Sequence, residues 1–119
     1  MQTAMTMSDP APDWTAGPAT AIDGAHLARV TFGNRSLERE VLQLFDRQAG
    51  VLIARMRASA PGEIGALVHT LKGSALNIGA HRVAKACVAV EADPAAIEQL
   101  AEAVDEARAR IGEMLWLGD

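Results

Sequence analysis

The sequence predicts an all-α protein, an antiparallel up-down four-helix bundle with a short additional N-terminal helix. Half of its 119 residues are apolar, but alanine supplies many of them, and the chain has only two Phe, two Trp and no Tyr. Such a composition favours closely packed helices over sheets, which prefer β-branched and aromatic residues. Apolar residues also recur every three or four positions in long segments separated by short Gly- or Pro-containing connections. Long amphipathic helices joined in this way pack as antiparallel neighbours.

The first two predicted helices come before a proline-containing turn. A short helix runs from about Asp23 to Thr31, with Asp23 as its N-cap, and Gly33-Asn34 ends it. The second helix runs from about Ser36 to Ala58. Gly50 lies inside it at a cost of about 1 kcal/mol relative to alanine, so we expect a slight irregularity there. The apolar positions of the second helix recur at helical spacing: Leu37, Val41, Leu44, Phe45, Leu52 and Met56.

Two proline-containing turns introduce further helices. Pro61 suits the first position of a third helix, which runs to about Ile78, and Gly79 suits a left-handed C-terminal position. A fourth helix covers roughly residues 80–92. Asp93-Pro94 then provides an N-cap and a first helical residue for a last helix that ends at about Leu115. Its apolar stripe consists of Ile97, Leu100, Val104, Ile111 and Leu115.

The chain divides into a tail, residues 1–20, and a helical domain, residues 21–119. The tail is rich in Ala, Thr, Pro and Met and shows no hydrophobic period, which indicates a disordered or loosely docked segment. Trp14 is its one large aromatic residue. Either it anchors the tail on the helices or it is exposed, and the sequence does not decide between the two.

Charge and composition exclude several classes of protein. The formal net charge is −4, so no basic field points to nucleic acid. No apolar run is long enough to cross a membrane, and Met1–Pro12 lacks the basic and hydrophobic regions of a secretory signal. We therefore expect a cytoplasmic protein. The single cysteine, Cys87, allows no internal disulfide or cysteine-based zinc site and is expected to be a small core residue.

One histidine, His69, is predicted to face away from the core of its helix. On a helical wheel at about 100° per residue, the opposite side carries the apolar stripe of Ile64, Leu67, Leu71, Ala75 and Ile78. The face of His69 itself carries Gly65, Ala66, Lys72, Gly73 and Leu76. Its imidazole is therefore expected to be open to solvent and to partners.

The neighbours of His69 suggest why it is exposed. Gly65 and Gly73 lie one turn to either side of it, where glycine destabilises a helix, but they would let another protein approach the imidazole closely. Lys72 could place an ammonium beside a phosphoryl group on the ring, and Leu76 could form part of a docking patch. A lone surface histidine is usually an ordinary solvated residue, but that interpretation leaves these four neighbours unexplained.

Glu91 is a possible partner of His69 from the next helix. If the third and fourth helices are antiparallel about Ala80, His69 and Glu91 lie at similar heights, because each is eleven residues from Ala80. The carboxylate could then accept a hydrogen bond from one imidazole nitrogen and leave the other as the nucleophile. On geometry alone, it is equally possible that Glu91 is an ordinary solvated residue.

The stretch His69-x-Leu71-Lys72-Gly73-Ser74, followed by Ile78-Gly79, resembles the signature of histidine-containing phosphotransfer (HPt) domains. The wider resemblance covers residues from about 22 to 117, and it implies a four-helix bundle that carries a phosphoryl group on Nε2 of His69. It also implies that Lys72 stabilises this group, that Gly73 lets the partner approach and that Glu91 bonds to the imidazole. The chain has Val90-Glu91 where Leu-Glu is commoner in the family.

The resemblance implies reversible transfer between His69 and the aspartates of receiver domains in response regulators or a hybrid sensor histidine kinase. The receiver would supply Mg²⁺, while this chain would bind no cofactor. It lacks a Gly-rich nucleotide loop, so it is expected to be a phosphocarrier without kinase activity, and a monomer. The main alternative is an adaptor that binds a receiver or kinase without carrying phosphate. A metal enzyme using His26, His69 and His81 is more distant, because no pair has close ligand spacing.

Overall fold

The computed structural model describes residues 21–117, and within this range it contains five α-helices, two short 3₁₀ helices and no strand. The prediction of an all-α protein is therefore confirmed. The α-helices are α1 (Gly24–Val30), α2 (Arg35–Ala58), α3 (Gly65–Ile78), α4 (His81–Ala92) and α5 (Ile97–Leu117). No helix in this range is long and apolar enough to span a membrane. The predicted tail, residues 1–20, lies outside the described residues.

The helix boundaries follow the capping residues closely. The side chain of Asp23 accepts a hydrogen bond from the backbone N–H of His26 at 3.1 Å and caps α1. Asn34 caps α2 in the same way, at 3.0 Å from the N–H of Leu37. These bonds satisfy N–H groups that have no partner inside the helix. At the end of α3, Gly79 has φ +82°, as expected for a left-handed C-terminal glycine.

The two prolines begin 3₁₀ helices, which corrects the prediction that they begin the long helices themselves. Pro61–Glu63 and Pro94–Ala96 each form one short turn, and α3 and α5 start after them at Gly65 and Ile97. A proline fits the first position of either kind of helix because it needs no N–H donor there. Asp93 therefore caps the 3₁₀ turn, at 3.0 Å from the N–H of Ala95, and does not cap α5 directly.

The four longer helices pack in a closed cycle, in which α2 and α4 each contact both α3 and α5. Their buried residues form one hydrophobic cluster. Alanine and cysteine occupy several central positions with no exposed surface, including Ala49, Ala75, Cys87 and Ala107. Small side chains at such positions let helix axes approach closely, which explains why a chain poor in aromatic residues can still form a dense core.

The structure corrects the expected burial of Leu44 in α2. Leu44 is 56% exposed, because the buried stripe of α2 consists of Leu42, Phe45, Ala49, Leu52, Ile53 and Met56, and Leu44 lies outside it. Helix α2 continues through Gly50 from Arg35 to Ala58, and the slight irregularity expected at Gly50 stays a prediction. A Cβ atom at Gly50 would lie 2.8 Å from Nη1 of Arg108, so the glycine leaves room for a side chain from α5.

The short helix α1 is attached to the corner between α3 and α4. The backbone N–H of Asp23 donates to the carbonyl of Gly79 at 2.9 Å, and a Cβ at Gly79 would lie 3.0 Å from Asp23. Nε2 of His26 donates to the carbonyl of Asn77 at 3.1 Å, and Nε2 of His81 donates to the Asp23 carboxylate at 3.2 Å. These contacts give His26 and His81 a structural role at this corner.

Candidate functional site

The structure places the His69 side chain on the exposed face of α3, as the helical wheel predicted. On the opposite face Ile64, Leu71, Ala75 and Ile78 are buried and Leu67 is half-buried, while Val68 adds a further buried position. The burial of this stripe fixes the rotation of α3 about its own axis. It therefore holds the imidazole away from the core.

The surface beside His69 is open. Gly65, Ala66 and Gly73 are exposed, and Leu76 retains 49% of its accessible surface. A Cβ atom built on Gly65 or Gly73 would meet no neighbouring atom within 4 Å. Neither glycine is therefore required by packing against the described residues, and both keep the space around the imidazole free.

Lys72 and Glu91 form an ion pair that bridges α3 and α4. The ammonium Nζ of Lys72 lies 3.1 Å from Oε1 and 3.3 Å from Oε2 of Glu91. The two side chains are 26% and 36% exposed, respectively. Lys72 is three residues after His69, so the pair lies one helical turn from the imidazole, on its α4 side.

The ion pair differs from the contact that the family resemblance implied for Glu91, which was a hydrogen bond from the imidazole of His69. Within residues 21–117 no hydrogen bond joins these two side chains, and both carboxylate oxygens of Glu91 lie on Lys72. The nearby ammonium is a charged donor and attracts the carboxylate more strongly than a neutral imidazole would. The roles of Lys72 and Glu91 in phosphotransfer stay predictions.

Cys87 lies on α4 one turn before Glu91, and its side chain is fully buried. Burial raises the pKa of the Cys87 thiol to about 12, and the negative charge of Glu91 acts in the same direction, while Lys72 opposes it. A thiol held in its neutral form is a poor nucleophile. Cys87 is therefore a core residue, and it supplies no second reactive group beside His69.

On its other side, the His69 face borders a groove between α2 and α3, which we call the α2–α3 groove. Helix α2 contributes Leu44, Arg47, Gln48, Val51, Leu52 and Arg55, and α3 contributes Ala66, Leu67 and Thr70. Sequence reasoning missed the α2 wall of this surface. The available signal was the seven-residue spacing of Leu44 and Val51, which places two apolar residues on one exposed face of α2.

The structure does not bring the three histidines together as a metal site. The rings of His26 and His81 lie 5.9 Å apart, edge to face, at the corner occupied by α1. Among residues 21–117 there is no group of three or more His, Cys, Asp or Glu side chains that could hold a metal ion. The interpretation of the chain as a metal enzyme therefore gains no support from the geometry.

Comparison with protein families identifies the class. The family described as Hpt domain matches residues 40–110, which are 71 of the 119 residues and include the His69 face, Lys72 and Glu91. The chain therefore belongs to the Hpt domain family. Hpt domains are histidine phosphotransfer modules of phosphorelays, they interact with receiver domains of two-component systems, and they are phosphocarriers and not kinases. Comparison with curated proteins and with solved structures gives no match.

Proposed function

We propose that this chain is a phosphorelay intermediate in which His69 accepts a phosphoryl group from the aspartate of one receiver domain and passes it to the aspartate of another. The observation that carries the proposal is the exposed imidazole of His69 on α3, with the open positions Gly65 and Gly73 on either side. The match to the Hpt domain family supports the same reaction.

The chemistry requires one neutral nitrogen of the imidazole. Its lone pair attacks the phosphorus of the aspartyl phosphate, a P–N bond forms, the P–O bond breaks and the carboxylate leaves as an anion. The second ring nitrogen keeps its proton, and the reverse reaction returns the phosphoryl group to a second receiver. Transfer of this kind depends mainly on positioning and on neutralising charge. The receiver would supply its acidic pocket and Mg²⁺, and this chain would supply the acceptor.

In this proposal Lys72 stabilises the phosphoryl group on His69. Its ammonium is held by Glu91 before phosphorylation and lies one turn from the imidazole. A phosphoryl group carries more negative charge than a carboxylate, and it would draw Lys72 away from Glu91 or share it. Glu91 would then keep the ammonium within reach while the site is empty, and it would orient the imidazole only if the pair opened.

The proposal includes an up-down arrangement of the four longer helices. The cyclic packing of α2, α3, α4 and α5 supports it, since each pair adjacent in sequence is also in contact. In such a bundle the His69 face would lie between α2 and α4, and a receiver could approach it without an intervening loop. The cytoplasmic location and the monomeric state stay predictions from the sequence.

Phosphotransfer profiling tests the proposal. Each receiver domain of the source organism, labelled on its aspartate, is mixed with the wild-type chain and with His69→Gln, and the label on each protein is followed over time. We expect rapid labelling of the wild type by a small number of receivers and none of the variant. Labelling of His69→Gln would overturn the assignment of the acceptor. Binding of a receiver without transfer to the wild type would favour the adaptor interpretation.

A further inference from the structure

The α2–α3 groove combines an apolar floor with two arginines. Its volume is about 700 Å³, it is open to solvent, and Leu44 and Val51 on its α2 side are 56% and 58% exposed. Arg47 and Arg55 lie on the same wall, and both residues are exposed. An exposed apolar patch that is rimmed by charged side chains is typical of an interaction surface.

The two arginines have no partner within residues 21–117. Neither guanidinium makes a hydrogen bond or an ion pair there, whereas Arg57 on the same helix pairs with Glu98 at 3.0 Å and Arg108 pairs with Asp46 at 2.9 Å. The groove therefore presents two positive charges that no described carboxylate neutralises. Its chemistry fits an apolar segment that carries negative charge.

The chain itself contains such a segment. Residues 1–20 include Asp9 and Asp13 and no Lys, Arg or His, and they also contain Trp14 and three methionines. Trp14 is the one aromatic residue in this stretch and could bury a large apolar surface in the groove. Charge and hydrophobicity of the segment are thus complementary to those of the groove.

The position of Asp23, near the start of the described residues, brings the α2–α3 groove within reach of residues 9–14. Asp23 is bonded to Gly79 at the end of α3, and Trp14 precedes it by nine residues, which span at most about 30 Å. Thr70, in the groove, lies nine residues before Gly79 along α3, about 14 Å away. A smaller cleft between residues 41–48 of α2 and 74–78 of α3 shares Leu44 and Gln48 with the groove. This cleft lies between the groove and the Gly79 end of α3.

We propose that residues 9–14 of this chain dock in the α2–α3 groove, with Trp14 against its apolar floor and the two aspartates on the two arginines. The cleft joins residues 41–48 to the Gly79 end of α3, so Arg47 lies nearer to that end than Arg55. Asp13 would therefore meet Arg47, and Asp9 would meet Arg55. Arg47 and Arg55 are about 12 Å apart along a helix, and Asp9 and Asp13 are about 13 Å apart in an extended chain.

Docking would place the segment beside the phosphoryl acceptor. Ala66 and Thr70 line the groove, and they lie three residues before and one residue after His69. This consequence rests on the proposed function: the docked segment would compete with an incoming receiver for the α2 side of the His69 face. Docking itself is independent of phosphotransfer and can be tested without any partner.

The fluorescence of Trp14 reports docking directly. The substitution Trp116→Phe removes the other tryptophan, which is 81% exposed and lies outside the buried core. In this background we expect Trp14 to show blue-shifted emission and a severalfold lower acrylamide quenching constant than in a free peptide of residues 1–20. Adding Arg47→Glu and Arg55→Glu should abolish both effects. Arg57→Glu, which makes one such charge reversal on the same helix outside the groove, should leave them unchanged.

A charge exchange identifies the pairs. Asp9→Arg with Asp13→Arg, introduced into the chain carrying Arg47→Glu and Arg55→Glu, should restore protection of Trp14. Quenching equal to that of the free peptide in the Trp116→Phe chain would overturn the proposal. Protection that disappears on dilution would also overturn it, because the occupant would then be a second copy of the chain. Neither of these two results would affect phosphoryl transfer to His69. Failure of the docking proposal can therefore be distinguished from failure of the proposed function.

Discussion

The ammonium of Lys72 lies 3.1 Å from the nearer carboxylate oxygen of Glu91, across the contact between α3 and α4. This pair links the acceptor helix to its neighbour one turn from His69, and it means that the cation proposed to stabilise the phosphoryl group already has an anionic partner. In the proposed function, the phosphorylated and unphosphorylated states would therefore differ in what Lys72 binds. The two residues should have opposite effects on the phosphotransfer equilibrium.

Glu91→Gln is expected to favour the phosphorylated state. The substitution keeps the shape of the side chain but removes its charge, so Lys72 is released and the phosphoryl group meets less repulsion. A partly exposed ion pair contributes at most about 1 kcal/mol, so the equilibrium between a receiver and His69 should shift toward phosphohistidine by roughly two- to fivefold. The label on each protein at equilibrium measures this shift. Glu102→Gln, on an exposed position of α5, is the matched control.

Lys72→Ala is expected to act in the opposite direction. Without the ammonium, the phosphoryl group on His69 loses its nearest cation, so the lifetime of the phosphohistidine should shorten or its formation should slow. Both quantities can be read from one labelling time course followed by removal of the donor. Lys85→Ala removes a lysine from an exposed position of α4 and provides a comparison. Equal rates and lifetimes for wild type and Lys72→Ala would remove Lys72 from the site.

Gly73 offers a test that separates stability from access. A Cβ at this position meets no neighbour, so Gly73→Ala should raise the free energy of unfolding by up to about 1 kcal/mol through the gain in helix propensity. Gly73→Gln should also fold, but its longer side chain should block the approach of a receiver and slow transfer strongly. Gly112→Gln, at an open and exposed position of α5, is the control. Unchanged transfer by Gly73→Gln would contradict the access argument.

Asp23 should make the attachment of α1 sensitive to acid. Its pKa is lowered from the ordinary value of 3.8, mainly by the hydrogen bond from the His26 N–H and next by the His81 side chain. A carboxyl whose pKa is lower in the folded state contributes stability above its unfolded pKa and loses that contribution as the pH falls through the folded value. Asp23→Ala should cost about 1 kcal/mol at neutral pH through loss of the N-cap.

Urea unfolding of wild type and Asp23→Ala at neutral pH and at about pH 3 checks this prediction. The difference between the two proteins should be largest at neutral pH and should shrink in acid. Asp105→Ala, at an exposed position of α5, should show no comparable difference. A gap between wild type and Asp23→Ala that widens in acid would show that the carboxylate form of Asp23 is not what stabilises this corner.

Cys87 is expected to resist alkylation in the folded protein. Its pKa of about 12 leaves almost no thiolate at mildly alkaline pH, and the side chain is buried. Iodoacetamide should therefore modify Cys87 only after unfolding in urea, as measured by the mass of the intact chain. Above the ordinary thiol pKa of 9.0 the folded state still holds the proton that the unfolded state releases, so stability should decrease as the pH rises further. Rapid modification of the native protein would contradict the burial of this side chain.

The sequence predicted the orientation of His69 because one property of α3 decides it. The buried stripe of α3 and its exposed face follow from helical periodicity within fourteen residues, and no knowledge of the neighbouring helices is needed. The N-cap at Asp23 and the left-handed Gly79 are local features in the same sense. These features could therefore be read from the residues alone.

The contact between Lys72 and Glu91 could not be predicted in this way. Counting residues from Ala80 placed Glu91 near the height of His69, but the partner that its carboxylate selects depends on how α4 is rotated relative to α3. The exposure of Leu44 has a related cause. Leu44 is apolar and recurs at nearly helical spacing with the buried residues of α2, so the sequence predicts that it is buried. Only the position of α3 decides which side of α2 is covered. Similarly, Pro61 fits the start of either a 3₁₀ helix or an α-helix.

The location of His69 in the body of α3 has a consequence for the timing of signals. Its backbone is part of a helix that continues for nine residues to Ile78, so offering or withdrawing the imidazole requires only rotation of one side chain, which takes picoseconds to nanoseconds. Loop closures, which many transfer sites require, take microseconds or longer. The acceptor side chain itself would thus add no slow conformational step to the proposed transfer.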